Sequence, residues 1–88
     1  MKVTLLFTKS TPADRHIDYL VRKLEREEGI TVDLLDADSR DGIALAELYG
    51  VMQRPAILVT DGDGSLTAKW ESELPAPQRV ADAYRGGL

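Results

Sequence analysis

The chain has 88 residues, no cysteine and a single histidine, His16. Without cysteine it forms no disulfide, has no thiolate nucleophile and offers no thiolate ligand to zinc or to an iron–sulfur cluster. One imidazole is too few for a multi-histidine metal site. We therefore expect no metal and no cofactor, and any catalysis would have to use hydroxyl, amine or carboxylate side chains.

Basic residues and long apolar runs are also scarce. The 11 Lys and Arg residues against 15 Asp and Glu leave a formal charge of −4. Because no surplus of positive charge is left to neutralise phosphates, we expect no nucleic-acid partner. No apolar run approaches the ~20 residues that cross a bilayer, and no secretion signal precedes the first apolar segment. We expect one cytoplasmic domain that spans residues 1–88 and has no membrane partner.

The first third of the chain predicts a strand followed by a helix. Apolar side chains alternate in residues 3–8, and Leu6 on the otherwise polar side indicates a central strand with both faces covered. Apolar side chains then recur at helical spacing within residues 12–28, and Gly29 is a typical helix end. The start of this helix is marked by a capping sequence made of Thr11, Pro12 and Asp14.

The rest of the chain predicts three more strands and two more helices. Residues 30–35 form the second strand, and residues 56–60 and 65–70 form two strands joined by a hairpin turn. The second helix ends at Gly50, and its predicted buried side consists of Ala44, Leu45, Leu48 and Tyr49. The last helix carries Val80, Ala81 and Tyr84. The order β-α-β-α-β-β-α predicts an α/β domain with a four-stranded mixed sheet flanked by three helices.

Three segments resemble the thioredoxin fold, and together they cover nearly the whole chain. Residues 6–15 resemble the glutaredoxin-like stretch that runs from the first strand through Cys-x-x-Cys into the first helix. Residues 35–51 resemble the second strand and helix of thioredoxins, and residues 53–59 resemble the stretch that holds the family's cis-proline. The resemblance implies a thioredoxin-like fold and a cis peptide bond between Arg54 and Pro55.

The chain departs from the family at the redox site. Pro12 and Arg15 occupy the two cysteine positions, and no other cysteine exists to replace them. The resemblance therefore implies the fold, while the sequence excludes thiol–disulfide oxidoreductase activity. Thioredoxin-like proteins bind extended peptides or glutathione in the groove at this site, so we expect a non-catalytic module that binds a protein or peptide there. The expected groove residues are Lys9, Thr11, Pro12, Arg15, Arg54 and Pro55. Thr11 and Pro12 also fit a plain helix cap.

Two other sequence patterns point to alternative functions. Glu71 and Ser72 resemble the Glu/Gln-Ser pair with which glutathione-transferase N-terminal domains hold the γ-glutamyl end of glutathione, so glutathione is the alternative ligand. Residues 61–64 invite a calcium interpretation, but the twelfth position of such a loop is Ser72 rather than a carboxylate. These residues therefore favour a hairpin turn. Trp70 lies at the end of the fourth strand, where a partly exposed indole would anchor a partner.

Overall fold

The computed structural model describes residues 1–8 and 14–86. Lys9, Thr11 and Pro12 therefore lie outside the described residues. The predicted order of elements is confirmed. They are β1 (Lys2–Phe7), α1 (Asp14–Glu27), β2 (Val32–Asp36), α2 (Arg40–Tyr49), β3 (Ala56–Thr60), β4 (Leu66–Glu71) and α3 (Pro77–Tyr84).

The sheet is mixed, as predicted, with the strand order β2-β1-β3-β4. β1 pairs parallel to β2 and antiparallel to β3, and β3 pairs antiparallel to β4. β1 is therefore an interior strand, which explains why Leu6 stands where a one-sided strand would have a polar residue. Within the described ranges, no helix is long and apolar enough to cross a bilayer.

The second strand begins later than the sequence predicts, at Val32 rather than at Ile30. The Ile30 N–H donates to the Leu24 carbonyl oxygen at 2.9 Å, and Gly29 adopts a left-handed φ of 67°. The left-handed glycine ends α1, and the Ile30 N–H turns the chain back onto the last turns of that helix. Ile30 is buried, but it serves the end of α1 rather than the sheet.

Alternate residues of β1 supply two separate cores, one on each face of the sheet. Val3 and Leu5 face α1 and α3, and they belong to the larger core. That core also contains Ile17, Leu20, Leu24, Ile57, Val59 and Val80. Leu6 faces α2 and packs in a smaller core with Ala37, Ala46, Val51, Ala56 and Leu58. Because α2 covers its face alone, the smaller core depends on how closely that helix approaches the sheet.

The predicted buried side of α2 is confirmed for Leu45 and Tyr49, which pack against the smaller core, and is wrong for Ala44 and Leu48. The helix buries Gly42 and Ala46, whereas Ala44 is exposed and Leu48 is 71% exposed. Leu45 and Tyr49 are only half-buried. The reason is a close backbone approach at Gly42, where an added Cβ would lie 2.1 Å from the Asp36 carbonyl oxygen. Because the helix backbone approaches β2 so closely, its smallest residues are buried there rather than its largest apolar ones.

Candidate binding groove beside Pro55

A groove of about 340 Å³ lies beside Pro55, at the start of β3. The Arg54–Pro55 peptide bond is cis, and Pro55 is buried. The Pro55 carbonyl oxygen accepts the Ser72 N–H at 2.9 Å, and Ser72 itself adopts a left-handed φ of 73°. The groove is lined by His16, Pro55, Ser72, Glu73 and Leu74. The structure thus brings together Pro55 and Ser72, which the sequence assigned to two different hypotheses.

The backbone just before Pro55 is open to pairing. In the part of the chain that the structure describes, neither the N–H nor the carbonyl oxygen of Arg54 hydrogen-bonds to another residue. An unpaired donor and acceptor next to a strand are the groups to which an extended peptide adds by β-augmentation. The main chain of Arg54 directly precedes Pro55, which lines this groove, and is therefore the most direct binding feature next to it.

The arginine side chains lie apart from the residues that line this groove. Arg54 is exposed and lines a neighbouring groove of about 360 Å³ against α2, with Glu47 and Met52. Arg15 lies along the outer side of α1 near Asp18. The positive charges expected at one site are consequently divided between two surfaces among the described residues.

The Glu71 carboxylate already has hydrogen-bond and ion-pair partners within the protein. Its Oε1 accepts the N–H of Met52 and the N–H of Gln53, the latter at 3.0 Å. Its Oε2 lies 3.3 Å from the Lys69 ammonium. The Met52 and Gln53 N–H groups, helped by Lys69, hold the pKa of the Glu71 carboxyl below its ordinary value. Glu71 therefore fixes the segment that leads into Pro55, whereas its neighbour Ser72 lines the groove.

Lys69, the ion-pair partner of Glu71, also binds the end of α2. Its ammonium donates to the carbonyl oxygens of Tyr49 and Gly50 at 3.4 and 3.3 Å. A cation at this position complements the negative end of the helix dipole and satisfies carbonyls without an intrahelical partner. This pair was not predicted from the sequence. The available signal was the spacing of two residues, which puts Lys69 and Glu71 on one face of β4.

The aromatic residues serve mainly as packing groups. Trp70 is half-buried and packs against the larger core, as does Tyr84. Tyr49 packs against the smaller core, and its hydroxyl donates to the Gly64 carbonyl oxygen at 2.5 Å. That bond joins the end of α2 to the turn between β3 and β4. The turn itself is closed by the Gly64 N–H and the Asp61 carbonyl oxygen at 3.0 Å, so the predicted hairpin is confirmed.

We expect Glu71→Gln to destabilise the protein at neutral pH and to lose that effect in acid. A carboxyl whose pKa is lowered by folding stabilises the fold above its unfolded pKa, near the ordinary value of 4.5. The stabilisation disappears as the pH falls through the lower folded pKa, because both states are then protonated. Urea unfolding of the wild type and the variant, at neutral pH and at several pH values below the ordinary pKa, measures the difference.

Glu73→Gln is the matched control, because Glu73 is an exposed neighbour whose side chain has no hydrogen-bond partner among the described residues. Its unfolding midpoint should follow that of the wild type across the pH series. A stability gap between the wild type and Glu71→Gln that stays constant into acid would contradict a role for the ionised carboxylate.

The comparisons with known proteins agree on the fold. No family model and no curated protein matches the sequence. Thioredoxin 1 from the thermophilic eubacterium Thermosipho africanus TCF52B superposes with a TM-score of 0.69 at 9% identity, covering 97% of this chain and 91% of that one. Thioredoxin O2 from Arabidopsis thaliana in the oxidised state gives 0.70 at 15% identity, over 96% and 71% of the two chains. A putative disulphide-isomerase from Bacteroides thetaiotaomicron gives 0.67 at 16%, over 96% and 76%.

These likenesses, with the sheet order and the cis-proline, identify the fold as that of thioredoxin. The chain contains no cysteine, so it has a thioredoxin-like fold without the cysteines of a redox site. Thiol–disulfide exchange through its own side chains is impossible, since that reaction requires an attacking thiolate.

Proposed function

We propose that this protein is a redox-inactive, non-catalytic binding module. It takes an extended segment of a protein or peptide partner in the groove beside Pro55. We further propose that it acts in the cytoplasm, where thiols are kept reduced and a domain without disulfides loses nothing.

The observation that carries the proposal is the unpaired main chain of Arg54 beside a buried Pro55. An extended segment would donate to the Arg54 carbonyl oxygen and accept from its N–H, which is the main-chain pairing that gives β-augmentation its affinity. The groove of about 340 Å³ next to it has room for a few side-chain atoms of that segment. Leu74 offers an apolar wall and Ser72 a hydroxyl, so specificity would come from alternate side chains of the partner.

The Arg54 side chain adds a charge preference. It is exposed and lies on the α2 side of the same loop, so it would meet the partner segment as that segment leaves the groove. Glu47 lines that neighbouring groove too. Because one basic and one acidic side chain lie there, the groove favours a partner with a single acidic residue, which would pair with Arg54.

We expect Arg54→Glu to weaken peptide binding about three- to fivefold, because reversing an exposed charge changes each pairing by up to about 1 kcal/mol. The melting temperature should stay within about 4 °C, since exposed substitutions rarely exceed about 0.5 kcal/mol. Peptides are first selected from a displayed random library. Amide NMR titration of the labelled chain then measures their affinity and should show shifts at His16, Arg54 and Ser72.

Arg79→Glu is the matched control, because Arg79 is an exposed arginine of α3 that lines neither the groove beside Pro55 nor the neighbouring one. It should leave peptide affinity unchanged. If Arg54→Glu and Arg79→Glu reduce peptide affinity equally, the peptide responds to the overall charge of the protein. That result would contradict binding in the groove beside Pro55. Reduced glutathione, titrated alone, is the second arm. Saturable shifts at Ser72 would favour the glutathione alternative instead.

A further inference from the structure

The outer side of α1 carries a row of three arginines and one tyrosine, called here the arginine stripe. Their spacings of four, three and four positions place them on one side of the helix. They are Arg15, Tyr19, Arg22 and Arg26. All four are exposed, and they line a groove of about 420 Å³. The apolar side of α1 packs in the larger core, so the stripe faces away from the protein.

The stripe keeps a surplus of positive charge. Its arginines have no ion-pair partner within residues 1–8 and 14–86. Beside it, Lys23 and Glu27 neutralise one another through an ion pair of 2.7 Å. The Glu25 carboxylate accepts the Val32 N–H at 3.4 Å and is therefore turned toward β2. Asp18 lines the same groove and offsets one arginine of the three.

This arrangement does not serve the fold of the isolated chain. Arg22 and Arg26 are one helical turn apart, and like charges at that spacing destabilise a helix. An anion from outside the chain would relieve that repulsion. Tyr19 lies between the arginines with 56% of its surface exposed, and the Lys23 ammonium is 5.7 Å from the centre of its ring. Exposed tyrosine among arginines is the composition in which the energetically dominant residues of protein interfaces are enriched.

We propose that the arginine stripe is the docking surface for an acidic helix of a partner protein. The stripe is straight and about 16 Å long, because its ends are 11 positions apart at a rise of about 1.5 Å per residue. A partner helix with carboxylates at the same spacing would present one to each arginine. Each guanidinium can bind a carboxylate through two parallel hydrogen bonds. The Tyr19 hydroxyl would donate to a further carboxylate, and its ring would lie against the partner helix.

A nucleic acid or an anionic membrane suits the stripe less well. The whole chain has a formal charge of −4, which repels an extended polyanion. A helix that lies in a membrane surface inserts its apolar side, whereas the apolar side of α1 is buried in the larger core. A short acidic helix would meet the positive charge of the stripe alone, so charge complementarity favours a protein partner.

The test is an amide NMR titration of the labelled full chain with an alanine-based helical peptide of about 20 residues. The peptide carries four glutamates at the spacing of the stripe, and we expect saturable shifts at Tyr19, Arg22 and Arg26. The same peptide with glutamines should bind about tenfold more weakly, because three exposed ion pairs are lost together. Arg22→Gln should weaken binding of the glutamate peptide about two- to fivefold. Arg22→Lys keeps the charge and should bind more tightly than Arg22→Gln.

Arg40→Gln is the matched control, because Arg40 is an exposed residue of α2, which covers the opposite face of the sheet. It should leave the affinity for the glutamate peptide unchanged. The melting temperature of Arg22→Gln should equal or slightly exceed that of the wild type, since the substitution removes a repulsion. A fall of more than about 4 °C would give Arg22 a role inside the protein and would overturn the proposal.

The proposal is also overturned by a spectrum that the glutamate peptide does not move, by equal binding of the glutamine peptide, or by equal losses for Arg22→Gln and Arg40→Gln. A single-stranded oligonucleotide or vesicles of anionic phospholipid that shift the same amides at lower concentration than the peptide would assign the stripe to a polyanion instead. Shifts of these amides on dilution of the protein alone would assign it to a second copy of the chain. Either result overturns a partner helix.

Discussion

Gly42→Ala is expected to destabilise the protein by about 3 kcal/mol, although alanine is the better helix former by about 1 kcal/mol. An alanine Cβ at this position would lie 2.1 Å from the Asp36 carbonyl oxygen and 2.9 Å from the Ala37 Cα. Both neighbours are backbone atoms at the end of β2, so relief requires α2 to move away from the sheet. That movement would loosen Ala46 and Val51 in the smaller core. Urea unfolding at neutral pH measures the loss.

Two other glycines separate this steric effect from the general properties of glycine. Gly62 lies in the hairpin with nothing within 4 Å of an added Cβ, so Gly62→Ala should change stability by less than about 0.5 kcal/mol. Gly50 also has open space but adopts a φ of 67°, so Gly50→Ala should cost about 1 kcal/mol through backbone strain alone. A Gly42→Ala protein as stable as the wild type would show that α2 does not approach the sheet this closely.

Leu6→Ala is expected to destabilise the protein by about 2–5 kcal/mol, the range for deleting a fully buried leucine. Leu6 is 0% exposed near the end of β1, and the smaller core packs around it. Its neighbours across the sheet and on α2 are mostly alanines, which are too short to fill the space left by a lost leucine. The cavity should therefore stay open, and the loss should fall in the upper half of that range. Thermal and urea unfolding measure it.

Leu48→Ala is the matched control, because it deletes the same atoms from a side chain that is 71% exposed. It should change stability by less than about 0.5 kcal/mol. The comparison also tests the orientation of α2 directly. If Leu48→Ala were as costly as Leu6→Ala, the helix would bury the side that its hydrophobic spacing predicts.

Much of the fold could be predicted from local sequence patterns. The alternation in residues 3–8, the spacing of Ile17, Leu20 and Leu24, and the turn residues 61–64 each specify an element through interactions within a few residues. The intrusion of Leu6 into a polar face even indicated that its strand is interior. The cis-proline was implied by a resemblance, and the strand order came from the structure alone, because no local pattern encodes which strands become neighbours.

The candidate site was less predictable. The sequence pointed to Pro55, and the structure finds it buried beside a groove that Ser72 also lines. It did not reveal that Glu71 is occupied by the Met52 and Gln53 N–H groups, nor that the Arg54 side chain lies against α2. These contacts join residues that are 18 or 19 positions apart or on different elements. Such distances are set by how β4 and the loop before β3 meet, and periodicity carries no information about that.

One physical difference separates the features that can be predicted from the sequence from those that only the packed structure shows. Helix and strand periods, caps and turns arise from short-range sterics and hydrogen bonds, so the sequence determines them, and the missing cysteines exclude thiol chemistry without any structure. The buried side of α2 and the role of Glu71 depend on how closely packed elements approach one another. Gly42 illustrates this: in the sequence it is a weak helix residue, and only the packed structure shows that it is the contact on which α2 rests.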